Sequence, residues 1–184
     1  MRVPPESVPG PVSEAEDYRR YLLRQLGSDD PETVQAETPA ALRELIQGVP
    51  QELLKRRPAE NEYSVLEIVG HITDAELVLS TRYRWVLAED QPDLPGYDQD
   101  SWVRAIGHQE SEPASLLTLF EALRAANLEL WKRNPGGRAR AGTHRERGEE
   151  SFELMFRLIA GHDGVHLAQA RDTLAAAREG IGSD

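Results

Sequence analysis

From Ser64 to about Asp90 the chain keeps Leu66, Val69, Ile72, Thr73, Leu77, Ser80, Tyr83 and Leu87 on a helical period, and no alternation of period two interrupts the stripe. Ser64-Val65-Leu66-Glu67 opens it with the spacing of a capping box, in which the Ser and Glu side chains each accept from a free backbone N–H at a helix start. Pro92 and Pro95-Gly96 stop it. A helix of bundle length follows, and its neighbours in sequence must be able to pack around it.

Those neighbours read the same way. Ala15, Tyr18, Leu22 and Leu26 give a short amphipathic helix stopped at Gly27. A second helical region starts at Asp30-Pro31 and restarts at Thr38-Pro39, with Leu42, Leu45 and Ile46 on its apolar side. Ser111-Glu112-Pro113 opens a helix carrying Leu116, Leu119, Phe120, Leu123, Asn127 and Leu130, which Asn134-Pro135-Gly136-Gly137 ends. The last helix runs from about Ser151 to Glu179, with Gly180 as its stop. No strand pattern is present, so the expected fold is all-α, a four-helix bundle with an extra N-terminal helical segment. Pro4, Pro5, Pro9 and Pro11 predict a flexible arm over residues 1–12, ahead of a single helical domain over 13–180. The linker after the stripe helix is too long for an ordinary connection and should cross the bundle or cover a site.

Charge and composition remove several functions. With 21 Lys and Arg against 32 Asp and Glu, the net charge of −11 gives no broad positive field for nucleic acid or anionic lipid. The absence of Cys excludes disulfides, thiolate metal sites and a cysteine nucleophile. No apolar run approaches the ~20 residues that span a bilayer. The expectation is a cytoplasmic protein with a small-molecule substrate and no nucleic-acid or membrane partner, with a homodimer admissible. Phosphate-binding glycine motifs, dinucleotide fingerprints and a serine nucleophile elbow are all missing.

Histidine carries the chemistry. His162 and His166 lie four apart, about 40° around a helix axis and ~6 Å along it, so both imidazoles can converge on one ion. The stripe continues back through Met155, Leu158 and Ile159, so the pair points inward, where an imidazole needs a polar partner or a metal. That spacing serves equally two ordinary histidines bonded to backbone or carboxylates. His71, at the edge of the apolar face of the stripe helix, adds a third nitrogen from a facing helix. Three histidines would leave positions for water or substrate, as catalytic sites do.

EYSVLEIVGHITDAELVLSTRYR, LAEDQPDLPGYDQDSW, THRERGEESF and HDGVHLAQ together resemble the DinB/YfiT-like superfamily of metalloenzymes, over roughly residues 31–177. Tyr63 stands where the family most often has Trp. The resemblance implies a four-helix bundle with a divalent metal on His71, His162 and His166. Zinc, nickel, iron and manganese all suit three imidazoles. Similar proteins include thiol S-transferases that use bacillithiol or mycothiol, a mycothiol-dependent isomerase and proteins called hydrolases. The implied function is a metal-dependent enzyme, first a transferase with a low-molecular-weight thiol cosubstrate, and in the alternative a metal-dependent hydrolase or a non-catalytic metal-binding stress-response protein.

Around the three histidines, Glu67 reads as a ligand or base but is already accounted for by the capping box. Asp74 is a candidate to orient the His71 imidazole, or a solvated or Arg-paired carboxylate, and Gln169 lies on the histidine stripe. Glu76 and Arg82 read as an inter-helix ion pair. His144 sits among Arg138, Arg140, Arg145 and Arg147, a basic loop that can hold an anionic cosubstrate or simply be solvated. The catalytic candidates are thus Asp74 and His144, and the cosubstrate candidates Arg138, Arg140 and Arg145. His108 reads as a surface residue, and Tyr97 and Trp102 as walls of a pocket.

Overall fold

The computed structural model describes residues 14–179; the expected arm over 1–12 and the Gly180 stop lie outside them. Four long helices form the bundle: α2 (Pro31–Ile46), α4 (Val65–Ala88), α6 (Pro113–Arg133) and α7 (Phe152–Glu179). Helix α2 packs on α6 and α7, and α4 packs on the same two, so α2 and α4 face each other across the bundle diagonal. Helix α1 (Ala15–Leu26) lies against α7, and the four-residue α3 (Gln51–Leu54) touches it further along. The close seating of α1 depends on Gly161, where a Cβ would sit 2.1 Å from the Leu22 carbonyl oxygen.

The capping box forms as expected: Ser64 accepts from the Glu67 N–H, and Glu67 accepts from the Ser64 N–H at 2.9 Å. Arg57 adds an ion pair to the same carboxylate. Glu67 is therefore a structural residue at the start of α4.

Two apolar clusters fill the bundle. One gathers Leu42, Leu66, Ile68, Ile72, Phe120 and Leu174; the other gathers Tyr83, Val86, Trp131, Phe152 and Phe156. A buried polar layer lies on the helix segments between them. Arg124 of α6, 1% exposed, pairs with Asp163 through both terminal nitrogens and donates to Glu76 at 3.0 Å. Asn127 donates to Glu76 at 2.8 Å and to Ser80 at 2.7 Å. Glu76 thus makes the inter-helix ion pair expected of it, with Arg124 of α6, whereas Arg82 pairs with no carboxylate among the described residues and turns toward the linker.

This layer also explains why α2 does not break. A restart at Pro39 is expected from sequence, yet α2 is continuous through Pro39. Proline lacks the N–H that would bond to the carbonyl four residues earlier, that of Gln35. Arg124 Nη1 donates to that carbonyl instead, at 3.2 Å.

The expectation of no strands is corrected. Three short strands form a sheet: β1 (Asp93–Leu94) runs parallel to β2 (Ala141–His144), which pairs antiparallel with β3 (Gly148–Ser151). Strands of two to four residues are too short to show alternation in a sequence window. Together with α5 (Gln99–Ile106) and a 3₁₀ turn at His108–Glu110, β1 makes up most of the long linker, which covers one side of α4. Among the described residues, no helix is long and apolar enough to cross a membrane.

Candidate metal centre

Packing of α4 against α7 brings His71 to His162 and His166. One ligand nitrogen from each lies within 4.8 Å of the other two. The His71 and His162 Nε2 atoms are 3.1 Å apart, close to the about 3.3 Å between two ligands that each stand ~2 Å from a tetrahedral ion. Gln169 Oε1, 2.7 Å away, accepts from His166 Nδ1, which leaves the His166 Nε2 lone pair free for the same point.

Electrostatics keep these imidazoles ready to ligate. Burial holds the His71 pKa down at about 3, with His166 and His108 adding to the effect. Burial likewise pushes His162 well below its ordinary value, assisted by His166 and His71. For His166, which is partly exposed, burial lowers the value against the opposing pull of Gln169 and Asp163. Neutral imidazole is the form that binds metal.

The donor set fits an ion by a second criterion. The Nε2 atoms of two buried, uncharged imidazoles face each other at 3.1 Å, where they share at most one hydrogen, and a cation at that point takes both lone pairs together with that of His166. His71 Nδ1 and His162 Nδ1 are buried without a hydrogen-bond partner among the described residues. Three imidazoles with no thiolate suit a borderline divalent ion.

A solvent-open cleft reaches this centre at His162, which stands in its wall. Its walls come from Tyr18, Arg19 and Leu22 of α1, from Leu158 and Ile159 of α7, against which α1 packs, and from Ala75, Val78, Leu79 and Arg82 of α4. Tyr97 of the linker and Arg147 and Glu150 of the hairpin close the end. Tyr97 thus lies in the wall, as expected of it, whereas Trp102 packs behind it with ring centroids 4.7 Å apart.

Several sequence expectations are displaced. Asp74 does not reach the His71 ring; its Oδ2 bonds His108 Nε2 at 2.7 Å. His108 is 3% exposed rather than a surface residue, its ring laid on Gly70, where a Cβ would stand 2.2 Å from its Cγ. Gly70, directly before His71, is the one local sign of that contact. His144 is buried in β2 rather than solvated. Its Nε2 faces Arg82 Nη2 at 3.2 Å. Its Nδ1 faces the backbone N–H groups of Glu146 and Arg147, each at 3.3 Å, and the Glu146 carboxylate at 3.3 Å. Burial and the charge of Arg147 hold the His144 pKa at about 4, so it is neutral near pH 7.

None of Arg138, Arg140 and Arg145 lines the cleft. Arg138 stacks over Trp131 at 3.9 Å, Arg140 donates to the Val86 and Glu89 carbonyls at the end of α4, and Arg145 is exposed. Of the basic loop only Arg147 reaches the cleft, joined there by Arg19 and Arg82, which were not singled out as binding residues by sequence. Nothing local distinguishes them from other arginines.

Comparison with known proteins agrees with this architecture. A relative from Oceanobacillus iheyensis, provisionally named a metal-dependent hydrolase, is 24% identical over 73% of this chain and 78% of its own length. One from Geobacillus thermodenitrificans with the same provisional name is 28% identical over 47% of this chain, the match spanning only about half (49%) of that protein. The solved structure of YfiT from Bacillus subtilis, described provisionally as a metal-dependent hydrolase with an unusual four-helix bundle topology, superposes with a TM-score of 0.71 at 18% identity, covering 100% of this chain and 95% of that one. The DinB superfamily pattern matches residues 36–170, a span that contains all three converging histidines, and the chain belongs to that superfamily.

Proposed function

We propose that the protein is a divalent-metal-dependent hydrolase of small molecules, with its ion on His71, His162 and His166. The observation that carries this reading is the cleft opening onto His162, because three protein ligands with one in the wall of a solvent-open cleft are the arrangement of catalytic rather than closed structural sites. The provisional names of the relatives support it. When bound, such an ion supplies Lewis acidity, polarising a carbonyl and acidifying a coordinated water or thiol. The chain's own residues prepare the site: burial keeps His71 and His162 unprotonated, and Gln169 fixes the His166 tautomer.

A thiol S-transferase using bacillithiol or mycothiol is the second reading. It is favoured by the ligand group itself, which contains three histidines and no carboxylate. A coordinating thiol loses its proton to the ion's field and needs no protein base.

The deciding experiment purifies untagged protein, measures its metal by elemental analysis, and screens the loaded form against esters and amides with and without thiols. One equivalent of metal and thiol-independent hydrolysis that His162→Ala removes is the expected result. Conjugation that requires an added thiol would replace the hydrolase with the transferase, and tight metal with neither activity would leave an ion that only ties α4 to α7.

A further inference from the structure

In a chain of net charge −11, the end of the cleft reverses sign, with Arg19, Arg82 and Arg147 around the single carboxylate of Glu150. Two of the three are compensated. Glu150, fully buried, accepts from Arg147 at 2.8 and 3.0 Å and from Arg19 at 3.3 Å. Arg82 is not. It is 4% exposed, its Nη2 donates to the Pro95 carbonyl at 2.6 Å and faces His144, and its Nε is buried with no partner. No ion pair joins it to a carboxylate among the described residues; Glu146 and Glu150 act on it only from beyond contact.

A buried cation without a counter-charge and with an unused N–H is costly, and the cost is recovered if an anion enters. The guanidinium fork matches the planar or tetrahedral oxygens of carboxylate and phosphate. His144 aims that fork. Buried in β2 and held through Nδ1 by the backbone of Glu146 and Arg147, it keeps Nε2 3.2 Å from Nη2 and stays uncharged near neutral pH.

We propose that Arg82, positioned by His144 and assisted by Arg147, anchors an oxyanion of the substrate, whose apolar body lies along Val78, Leu79, Leu158 and Ile159 toward His162. The substrate class is therefore an amphiphilic small anion, carboxylate or phosphate at one end and apolar between that end and the reacting bond. Placing the reacting bond at His162 rests on the hydrolase reading, whereas the anion subsite stands without it.

The test measures binding to full-length, metal-free protein by titration calorimetry in chelator, using hexanoate, hexyl phosphate and the neutral hexanamide. One of the anions is expected to bind at least about tenfold more tightly than hexanamide, the worth of a charge-assisted hydrogen bond. The stronger anion identifies the oxyanion preferred. Arg82→Gln should erase the preference, Arg82→Lys should retain part of it, and His162→Ala should leave it intact. If Arg82→Gln fails to fold by circular dichroism, Arg147→Gln decides, with a weakened preference expected. Equal binding of hexanamide and both anions to the wild type overturns the proposal, as does an unchanged preference in the folded Arg82→Gln, or in Arg147→Gln where that variant decides. Anion binding without any hydrolysis by the loaded enzyme would refute the hydrolase and leave the subsite standing; hydrolysis of neutral esters with no anion preference would do the reverse.

Discussion

Acid should unfold the metal-free protein through His71. Its pKa in the fold is held at about 3 by burial, against an ordinary 6.5, so below pH 6.5 the unfolded chain takes a proton that the native state refuses. The contribution is fully present above pH 6.5 and is lost as the pH falls toward 3. From those two values, the loss between pH 7.5 and pH 5 is about 2 kcal/mol for His71 alone, with a limiting slope of about 1.4 kcal/mol per pH unit. His162 shifts in the same direction and steepens the fall. Against the ~5–15 kcal/mol stability of an ordinary domain, the change is large enough to measure. Urea denaturation followed by circular dichroism at 222 nm, in chelator at pH 7.5, 6.5, 5.5 and 5.0, should show the wild type losing stability faster than His71→Leu. The difference in slope below pH 6.5 should approach 1.4 kcal/mol per pH unit, roughly one proton. Equal slopes in the two proteins would refute the reasoning, since depressed carboxylates elsewhere contribute equally to both. A divalent ion at a hundredfold its Kd should add about 2.7 kcal/mol at pH 7.5, because it binds only the native arrangement.

Elemental analysis of untagged variants should find that His162→Ala and His166→Ala lose stoichiometric metal and that His71→Ala binds it far more weakly. His108→Ala should keep its metal yet lose roughly 1–3 kcal/mol in denaturation, because Asp74 is left buried without its partner. Arg124→Met should cost about 3–5 kcal/mol by the same measurement, since it strands Glu76 and Asp163 in the interior and frees the Gln35 carbonyl beside Pro39. Gly161→Ala should lower the unfolding temperature, by an overpacking cost of about 1–3 kcal/mol, because its Cβ would collide with the Leu22 carbonyl and lift α1 from the cleft.

What the sequence determined by itself is what short-range geometry can encode. A helix repeats every 3.6 residues, so the stripe from Leu66 to Leu87, the capping box at Ser64 and Glu67, and the alignment of His162, His166 and Gln169 on one face were all legible within a few turns. His71 was legible because it shares an apolar face that has to meet another helix. Tertiary structure decided the partners of the polar residues, because the apolar period says which face is buried and nothing about what a buried charge will find there. Asp74 meets His108 across 34 positions, Arg82 meets His144 across 62, and Arg124 relieves the Gln35 carbonyl across 89. The last of these keeps α2 unbroken through a proline that local rules would use to end it. The same holds for the cleft: α1 becomes its wall through a glycine on α7, and Arg82 becomes its uncompensated cation because packing brings it the Pro95 carbonyl and His144 rather than a carboxylate.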